Sequence, residues 1–142
     1  MNKKDLKYFE LAKEEAELSD YDRIHLGCIA VCGNTVISEG HNTQKTHPMQ
    51  MIYNEYRPLY DATKIHHSMH AEMMCLNKVQ KLINDKEVSA SKIKLYIYRI
   101  RKDIPHGISR PCPACMARIK DMGIKHIYYT TDSGYAKEEI CL

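Results

Sequence analysis

Residues 93–130 give the plainest structural signal in the chain: IKLYIYRI at 93–100, PCPACMARIKDMG at 111–123 and IKHIYYT at 124–130. The first and third segments are rich in isoleucine and tyrosine, which favour strands. Between them, Pro111 suits the first turn of a helix, and Gly123 is the residue that most often ends one. A strand, a helix and a strand in this order predict two parallel strands joined by a helical crossover.

The residues before this unit predict two helices and a hairpin. Apolar side chains recur at helical spacing from residue 5 to about 18, and again from His70 to about Ile83. The short apolar run His25–Cys32 is followed by Gly33 and by the strand Thr35–Ser38, which is typical of a β-hairpin. We therefore predict an α/β fold of three layers, in which a mixed β-sheet, made of an N-terminal hairpin plus parallel strands, is flanked by helices.

The segment from residue 42 to residue 66 shows no sustained helical or strand period and contains Pro48 and Pro58. It predicts a long loop with room for one helical turn. A loop of this length inside a small domain is often functional, so we expect it to serve as a lid over the substrate. Its tyrosines suit either stacking on a base or contact with a neighbouring subunit: Tyr53, Tyr56 and Tyr60.

The composition is that of an ordinary globular protein. The chain has 142 residues, of which 44% are hydrophobic and 27% charged, so we expect a single domain over residues 1–142 and exclude disordered and fibrous classes. It lacks both a run of about 18 apolar residues and a secretion signal, so we expect a cytoplasmic protein with no membrane partner. The net charge of +3 suits a phosphate-bearing substrate but is weaker than nucleic-acid-binding proteins usually carry.

Among the six cysteines, one pair has the spacing of metal ligands. Cys112 and Cys115 are three residues apart at a predicted helix start, so their sulfur atoms fall on one side of its first turn. The free backbone N–H groups there favour thiolate over thiol. His70, at the start of another predicted helix, would complete a set of three zinc ligands. Three protein ligands leave the fourth position of a tetrahedral ion open to water, which is typical of catalytic sites.

Glu72 is the residue that favours a catalytic zinc site over a structural one. A structural site has no use for a carboxylate two residues from its histidine that does not bind the metal. Two residues on a helix lie about 200° apart, so His70 and Glu72 approach one point only if the helix N-terminus faces the metal. There, Glu72 would carry a proton from water to a substrate ring nitrogen and then to a departing amine.

The segments His-Ala-Glu at 70–72 and Pro-Cys-Pro-Ala-Cys at 111–115 resemble the signature of the zinc-dependent cytidine and deoxycytidylate deaminase superfamily. The resemblance covers nearly the whole chain and implies a cytidine-deaminase-like fold with one catalytic Zn²⁺. It implies that the zinc ligands are His70, Cys112 and Cys115, that Glu72 is the proton shuttle, and that the backbone N–H groups of Ala71 and Cys112 face the substrate ring.

Three further features bear on the choice of substrate. Gly40-His41-Asn42 resembles the family's glycine-aromatic-asparagine segment, which implies Asn42 as a contact to the base or sugar, although His41 replaces the usual aromatic residue. Arg110 precedes the Pro-Cys step, where relatives often have glutamate. The segment Arg99–Arg110 is also longer than the corresponding connection in relatives.

Several alternatives stay open at this point. A structural zinc site would need a fourth ligand, for which His66, His67 and His106 are available, although solvated loop histidines are the simpler interpretation of the first two. Cys28, Cys32 and Cys75 are expected to be small buried side chains. A group of basic residues would hold a phosphate, follow a nucleic-acid backbone, or simply be solvated: Lys92, Lys94, Arg99, Arg101, Lys102 and Arg110.

We therefore expect a hydrolytic deaminase that removes an exocyclic amine from a nucleobase, most favourably cytosine in a nucleoside or nucleotide. Within the enzymes, the alternative substrates are adenosine in tRNA and cytosine in single-stranded nucleic acid, so a nucleic-acid partner is the less favoured case. The alternative from another class is a zinc-stabilised binding module with a vestigial deaminase site. The family resemblance also implies a homo-oligomer.

Overall fold

The computed structural model describes residues 1–58 and 67–141. Its helices are α1 (Lys3–Ala16), α2 (Pro48–Tyr53), α3 (Ala71–Asn84) and α4 (Pro113–Met122), and two short 3₁₀ turns cover Asn54–Tyr56 and Ala90–Lys92. Its strands are β1 (His25–Cys32), β2 (Thr35–His41), β3 (Ile93–Ile100), β4 (His126–Thr130) and β5 (Tyr135–Glu139).

The strands form a mixed sheet in the order β2-β1-β3-β4-β5. β1 and β2 make the predicted antiparallel hairpin, and β1 also pairs antiparallel with β3. β3 and β4 are parallel, as the order strand, helix, strand requires, and β5 returns antiparallel to β4. The predicted combination of a hairpin with parallel strands is confirmed.

Helices cover both faces of the sheet, because side chains along a strand point alternately to its two faces. On one face the sheet packs against α1, in a cluster that includes Phe9 and Tyr96. On the other face it packs against α3 and α4, in a cluster that includes Leu76, Leu95 and Ile119. The predicted three layers are therefore present. Among the helices of the described residues, none is long and apolar enough to cross a membrane.

The structure differs from the prediction in the 42–66 segment and after β4. The segment contains α2 and a 3₁₀ turn, which is more than the single turn predicted, because Pro48 begins α2 and the His47 side chain caps it. Tyr60 and the rest of residues 59–66 lie outside the described residues. β5 was not predicted, since its sequence YAKEE is polar and most of its residues are partly or fully exposed.

The N-termini of α3 and α4 meet at one edge of the sheet. β2 and β3 are both antiparallel to β1, so they end at the same edge. The chain leaving β3 there leads to α4, while the start of α3 packs closely on the end of β2. Gly40 permits this approach, because a Cβ atom at residue 40 would lie only 2.5 Å from the carbonyl oxygen of Ala71.

Candidate active site

Three of the predicted site residues come together where α3 and α4 begin. The His70 Nδ1 atom lies 3.5 Å from the Cys112 sulfur and 3.4 Å from the Cys115 sulfur. Zinc bonds of ~2.0 Å to nitrogen and ~2.3 Å to sulfur, at tetrahedral angles, place the nitrogen and sulfur atoms about 3.5 Å apart. The observed separations agree with this requirement, so these side chains fit a tetrahedral metal ion.

No fourth protein ligand joins this cluster among residues 1–58 and 67–141. His70, Cys112 and Cys115 form the whole group, with ligand atoms within 4.8 Å of one another. Of the histidines considered as a fourth ligand, His67 lies 2.9 Å from the Asn54 amide, and His106 lies 2.7 Å from the Thr131 carbonyl oxygen. His66 is outside the described residues. A cluster of three ligands has the composition of a catalytic zinc site.

The other cysteines of the core lie apart from this cluster. Cys28 and Cys75 are fully buried among apolar side chains, as predicted, and Cys32 is partly buried beside them. Their environment is that of small hydrophobic residues rather than of metal ligands.

The Cys112 and Cys115 thiols differ in acidity because they contact each other. A hydrogen bond from Cys115, helped by His70 and opposed by burial, lowers the pKa of Cys112 to about 4. The same hydrogen bond, together with burial, raises the pKa of Cys115 well above its usual range. The contact between the two thiols therefore favours the loss of one of their protons, and binding of a divalent cation would displace the other.

Glu72 lies in the first turn of α3 and is only 4% exposed. Within the described part of the chain, its Oε1 atom has no hydrogen-bond partner, which is uncommon for a buried carboxyl group. Burial raises the pKa of Glu72, and the negative charge of Cys112 adds to this, while His70 acts in the opposite direction. A buried carboxyl group with a raised pKa, next to side chains that could hold a metal ion, is suited to take up and return a proton.

Asn42 follows β2 and is held by the protein on three sides. Its Oδ1 atom accepts hydrogen bonds from the backbone N–H of Leu26 at 3.0 Å and from the Ser19 hydroxyl at 2.5 Å. Its Nδ2 atom donates to the carbonyl oxygen of Ile24 at 2.7 Å. The Asn42 amide therefore has one N–H left for a ligand. No motif in the sequence had pointed to Ser19 as a partner of Asn42.

Comparison with known families agrees with this site. A model of the cytidine and deoxycytidylate deaminase zinc-binding region matches residues 2–131. The chain belongs to this deaminase family. The matched range contains Glu72 and the three clustered side chains that could hold a metal ion. The resemblance proposed from the two short motifs is thus confirmed over most of the chain.

Solved structures share the deaminase fold at low sequence identity. The dCMP deaminase from the cyanophage S-TIM5 has a TM-score of 0.60 and 22% identity, over 92% of this chain and 86% of its own. Its complex with dCMP and dUMP has a TM-score of 0.60 and 21% identity, over 92% and 84%. A cytidine deaminase from Burkholderia pseudomallei has a TM-score of 0.60 and 14% identity, over 98% and 93%. No curated protein matches the chain.

In this deaminase-family chain, two buried hydroxyl groups fix the loop that brings Cys112 to the site. The Ser109 hydroxyl donates to the carbonyl oxygen of Ile97 at 2.8 Å and accepts from the backbone N–H of Thr130 at 2.9 Å. The Thr130 hydroxyl donates to the carbonyl oxygen of Gly107 at 2.6 Å. The long segment between β3 and the Pro-Cys step is therefore tied to the ends of β3 and β4.

The basic residues of the deaminase-family chain are spread along β3 and the segment that follows it. Lys94 lies near the start of β3 and Arg101 just beyond its end, which separates them by about 23 Å at the rise of a strand. Arg110 is paired with Glu138 at 2.8 Å. At the site edge of the sheet, several cationic side chains line a cleft of about 590 Å³, together with Asp22, His25 and Ile100: Arg23, Arg99, Arg101 and Lys102.

Proposed function

We propose that this protein is a zinc-dependent hydrolase that removes the exocyclic amine of cytosine in a cytidine or deoxycytidine nucleoside or nucleotide. One observation carries the proposal: the buried Oε1 atom of Glu72, without a partner in the described residues, beside three side chains arranged for one metal ion. A structural metal site has no need for such a carboxyl group. A reaction that must move a proton from water to a ring nitrogen and a leaving amine does need it.

The three clustered side chains would hold one Zn²⁺ per chain: His70, Cys112 and Cys115. Zinc in such a site lowers the pKa of coordinated water and so supplies a nucleophile at neutral pH. Glu72 accepts a proton from the attacking water at Oε1 and delivers it to the ring nitrogen next to the amine-bearing carbon. Glu72 then takes the remaining proton of the hydroxyl group added to that carbon and gives it to the amine, so that the carbonyl forms as the C–N bond breaks and ammonia leaves.

Contacts to the substrate ring would come from the backbone and from one amide. Ala71 is the first residue of α3 and Cys112 is the N-cap of α4, so their N–H groups belong to those that a helix leaves unpaired at its start. We propose that these N–H groups face the ring. The remaining N–H of Asn42 would donate to the base or to the sugar.

The basic cleft supports a substrate that carries a phosphate group. Arg99 of β3 is paired in register with Leu26 of β1, and the Leu26 N–H is bonded to Asn42, so the cleft lies close to the proposed substrate contact. The complex of the S-TIM5 enzyme with dCMP and dUMP shows that this fold accommodates nucleotides in that protein. A nucleotide is therefore favoured over a nucleoside.

The decisive test of the mechanism is Glu72→Gln in the zinc-loaded protein. The variant keeps the size of the side chain and removes its proton transfer, so we expect kcat for ammonia release to fall by about 10²–10⁴, with zinc content near one per chain. Glu87→Gln, the same change at an exposed position, is the control and should leave kcat unchanged. Full turnover by Glu72→Gln would contradict the mechanism.

The substrate class is tested by incubating the zinc-loaded protein with cytosine, cytidine, deoxycytidine, CMP, dCMP, a tRNA stem-loop and single-stranded DNA, with ammonia as the readout. We expect the highest kcat/KM for the mononucleotides, with weak dependence on salt. A polynucleotide substrate would instead lose affinity steeply as salt rises. Absence of ammonia release across the whole panel would favour the vestigial binding module.

A further inference from the structure

Two fully buried amide side chains lie next to His70 of the candidate metal site, in the segment that the sequence predicted to be a loop. Gln50 in α2 and Asn54 in the following 3₁₀ turn are both 0% exposed. The Gln50 Oε1 atom accepts a hydrogen bond from the backbone N–H of His70 at 3.0 Å, and its Nε2 atom donates to Asn54 Oδ1 at 2.7 Å. The Asn54 Nδ2 atom lies 2.9 Å from His67 Nδ1.

These hydrogen bonds have a single consistent direction. A backbone N–H can only donate, so Gln50 must present its oxygen to His70 and its amide nitrogen to Asn54. Asn54 then accepts with Oδ1 and donates with Nδ2, so His67 accepts at Nδ1. Every buried polar atom along this path has a partner of the right kind. Removing one link would leave a buried donor or acceptor unpaired, which is costly.

The backbone of His70 depends on this support because it is not part of a helix. His70 is the N-cap of α3, with φ −75° and ψ 158°, and its own side chain makes no capping hydrogen bond. Its ring approaches the two sulfur atoms with Nδ1, the ring nitrogen nearer to the backbone. A displacement of the His70 backbone therefore moves the ligand atom by a similar distance.

The helix that carries Gln50 is anchored in turn. The His47 side chain accepts from the backbone N–H of Met49 at 3.1 Å and caps the start of α2. The Tyr53 hydroxyl, at the end of α2, donates to the Asp121 carboxylate at 2.8 Å. Asp121 belongs to α4, the helix that also carries Cys115. The short helix α2 thus connects the backbone of His70 with α4, the helix that carries Cys115.

We infer that Gln50 and Asn54 are positioning residues that hold the backbone of His70 and slow the release of zinc. The inference rests on the proposed function, because it takes His70 as a zinc ligand. Groups that orient a metal ligand typically change metal affinity by about 10–100-fold. Gln50 contacts the ligand residue directly and Asn54 acts through Gln50, so the effect of Gln50 is the larger.

The test compares Gln50→Leu with Gln80→Leu. Gln80 donates to Asn84 at 3.1 Å, with the same four-residue spacing, on the exposed side of α3, so it is a matched control. The measurement is the rate at which the zinc-loaded protein passes its metal to an excess of a chromogenic chelator. We expect release about tenfold faster or more in Gln50→Leu, and at the wild-type rate in Gln80→Leu. Equal rates in the two variants would overturn the inference.

A second pair of variants decides the question if Gln50→Leu does not fold. Asn54→Leu keeps the bond between Gln50 and His70 but removes its support, and Asn84→Leu is the exposed counterpart. Faster zinc release in Asn54→Leu than in Asn84→Leu supports the inference, and equal release overturns it. Zinc content of the wild-type protein separates the two proposals: a wild-type chain that binds no zinc refutes the proposed function, whereas unchanged variants of a zinc-binding chain refute this inference alone.

A spectroscopic measurement separates positioning from a general loss of stability. If Gln50 were merely structural, Gln50→Leu would unfold more easily but keep the same metal environment. We expect instead that the visible absorption of the cobalt(II)-substituted protein changes in Gln50→Leu. It should return toward the wild-type spectrum in Gln50→Glu, which keeps an oxygen for the His70 N–H. A wild-type spectrum in Gln50→Leu would contradict the positioning role.

Discussion

The histidine side and the cysteine side of the candidate site are supported by different parts of the fold. The backbone of His70 is bonded to Gln50, which belongs to a short helix outside the sheet. The loop before Cys112 is bonded through Ser109 and Thr130 to the main chain of the sheet itself. Support from a separate short helix can be weakened while the sheet stays intact. Support from the sheet cannot be weakened in this way. A substitution that disturbs the bonds of Ser109 or Thr130 should therefore reduce the stability of the fold and the retention of the metal together.

The largest loss of stability is expected from Gly40→Ala, a substitution next to the histidine side of the site. Gly27→Ala, on the opposite face of the sheet, is the variant with which it is compared. A Cβ at residue 40 would lie 2.5 Å from the Ala71 carbonyl oxygen, and one at residue 27 would collide with the Ala12 carbonyl oxygen of α1. Because these backbone oxygen atoms cannot easily move away, each variant should lose about 3 kcal/mol of unfolding free energy. Urea denaturation provides the measurement.

The two glycine variants should differ in zinc release. Gly40→Ala pushes on Ala71, which adjoins His70, so we expect faster passage of zinc to a chelator. Gly27→Ala acts on the opposite face of the sheet, where α1 packs, and should release zinc at the wild-type rate. Equal acceleration in both variants would mean that zinc retention follows global stability, and the distinction between the two sides of the site would be lost.

A smaller loss of stability is expected from Ser109→Ala, on the cysteine side of the site. The variant removes the acceptor of the Thr130 N–H and the donor to the Ile97 carbonyl oxygen. Leaving such a buried group unpaired costs about 2 kcal/mol, measured by urea denaturation with the exposed Ser91→Ala as control. Zinc release should accelerate less than in Gln50→Leu. Faster release without a loss of stability would show that Ser109, like Gln50, acts mainly on the metal ligand.

Much of the fold and of the candidate metal site could be predicted, because the sequence patterns that indicate them lie within short stretches of the chain. The helix α4 lies between a proline that suits its start and Gly123, which ends it in the left-handed conformation with φ 84°. The spacing of Cys112 and Cys115 places both sulfurs on one turn, and the pairing of Glu72 with His70 follows from a three-residue motif. Each of these inferences needs only neighbouring residues.

The supporting residues could not be predicted, because their roles arise from contacts between distant segments. Gln50 and Asn54 sit in a proline-containing segment where such amides are usually solvated, and packing against α4 and the residues just before α3 buries them. Ser109 and Thr130 are 21 residues apart and meet through the pairing of β3 with β4. The substrate contacts at Asn42 and the formation of a homo-oligomer stay predictions, since both concern molecules outside this chain.

The smallest effect is expected at the surface pair of Arg110 and Glu138. Arg110 donates two hydrogen bonds to the Glu138 carboxylate, at 2.9 and 2.8 Å, and its side chain is 49% exposed. The hydrogen bond from Arg110 holds the pKa of Glu138 below its usual value. The pair therefore stabilises the fold above the usual pKa of a glutamate, and this stabilisation is lost as the pH falls through the lowered value.

Glu138→Gln should consequently lower the unfolding free energy by about 0.5 kcal/mol at neutral pH, as is usual for an exposed ion pair. The difference from the wild-type protein should disappear in acid, where the Glu138 carboxylate is protonated. Unfolding curves in urea across this pH range provide the measurement, and a difference that persists in acid would show that charge is not its cause. Zinc release should stay at the wild-type rate, because Ser109 and Thr130 hold the loop before Cys112 from inside the sheet. Faster release in Glu138→Gln would mean that the cysteine side also depends on a contact outside the core, and the contrast with His70 would then be one of degree.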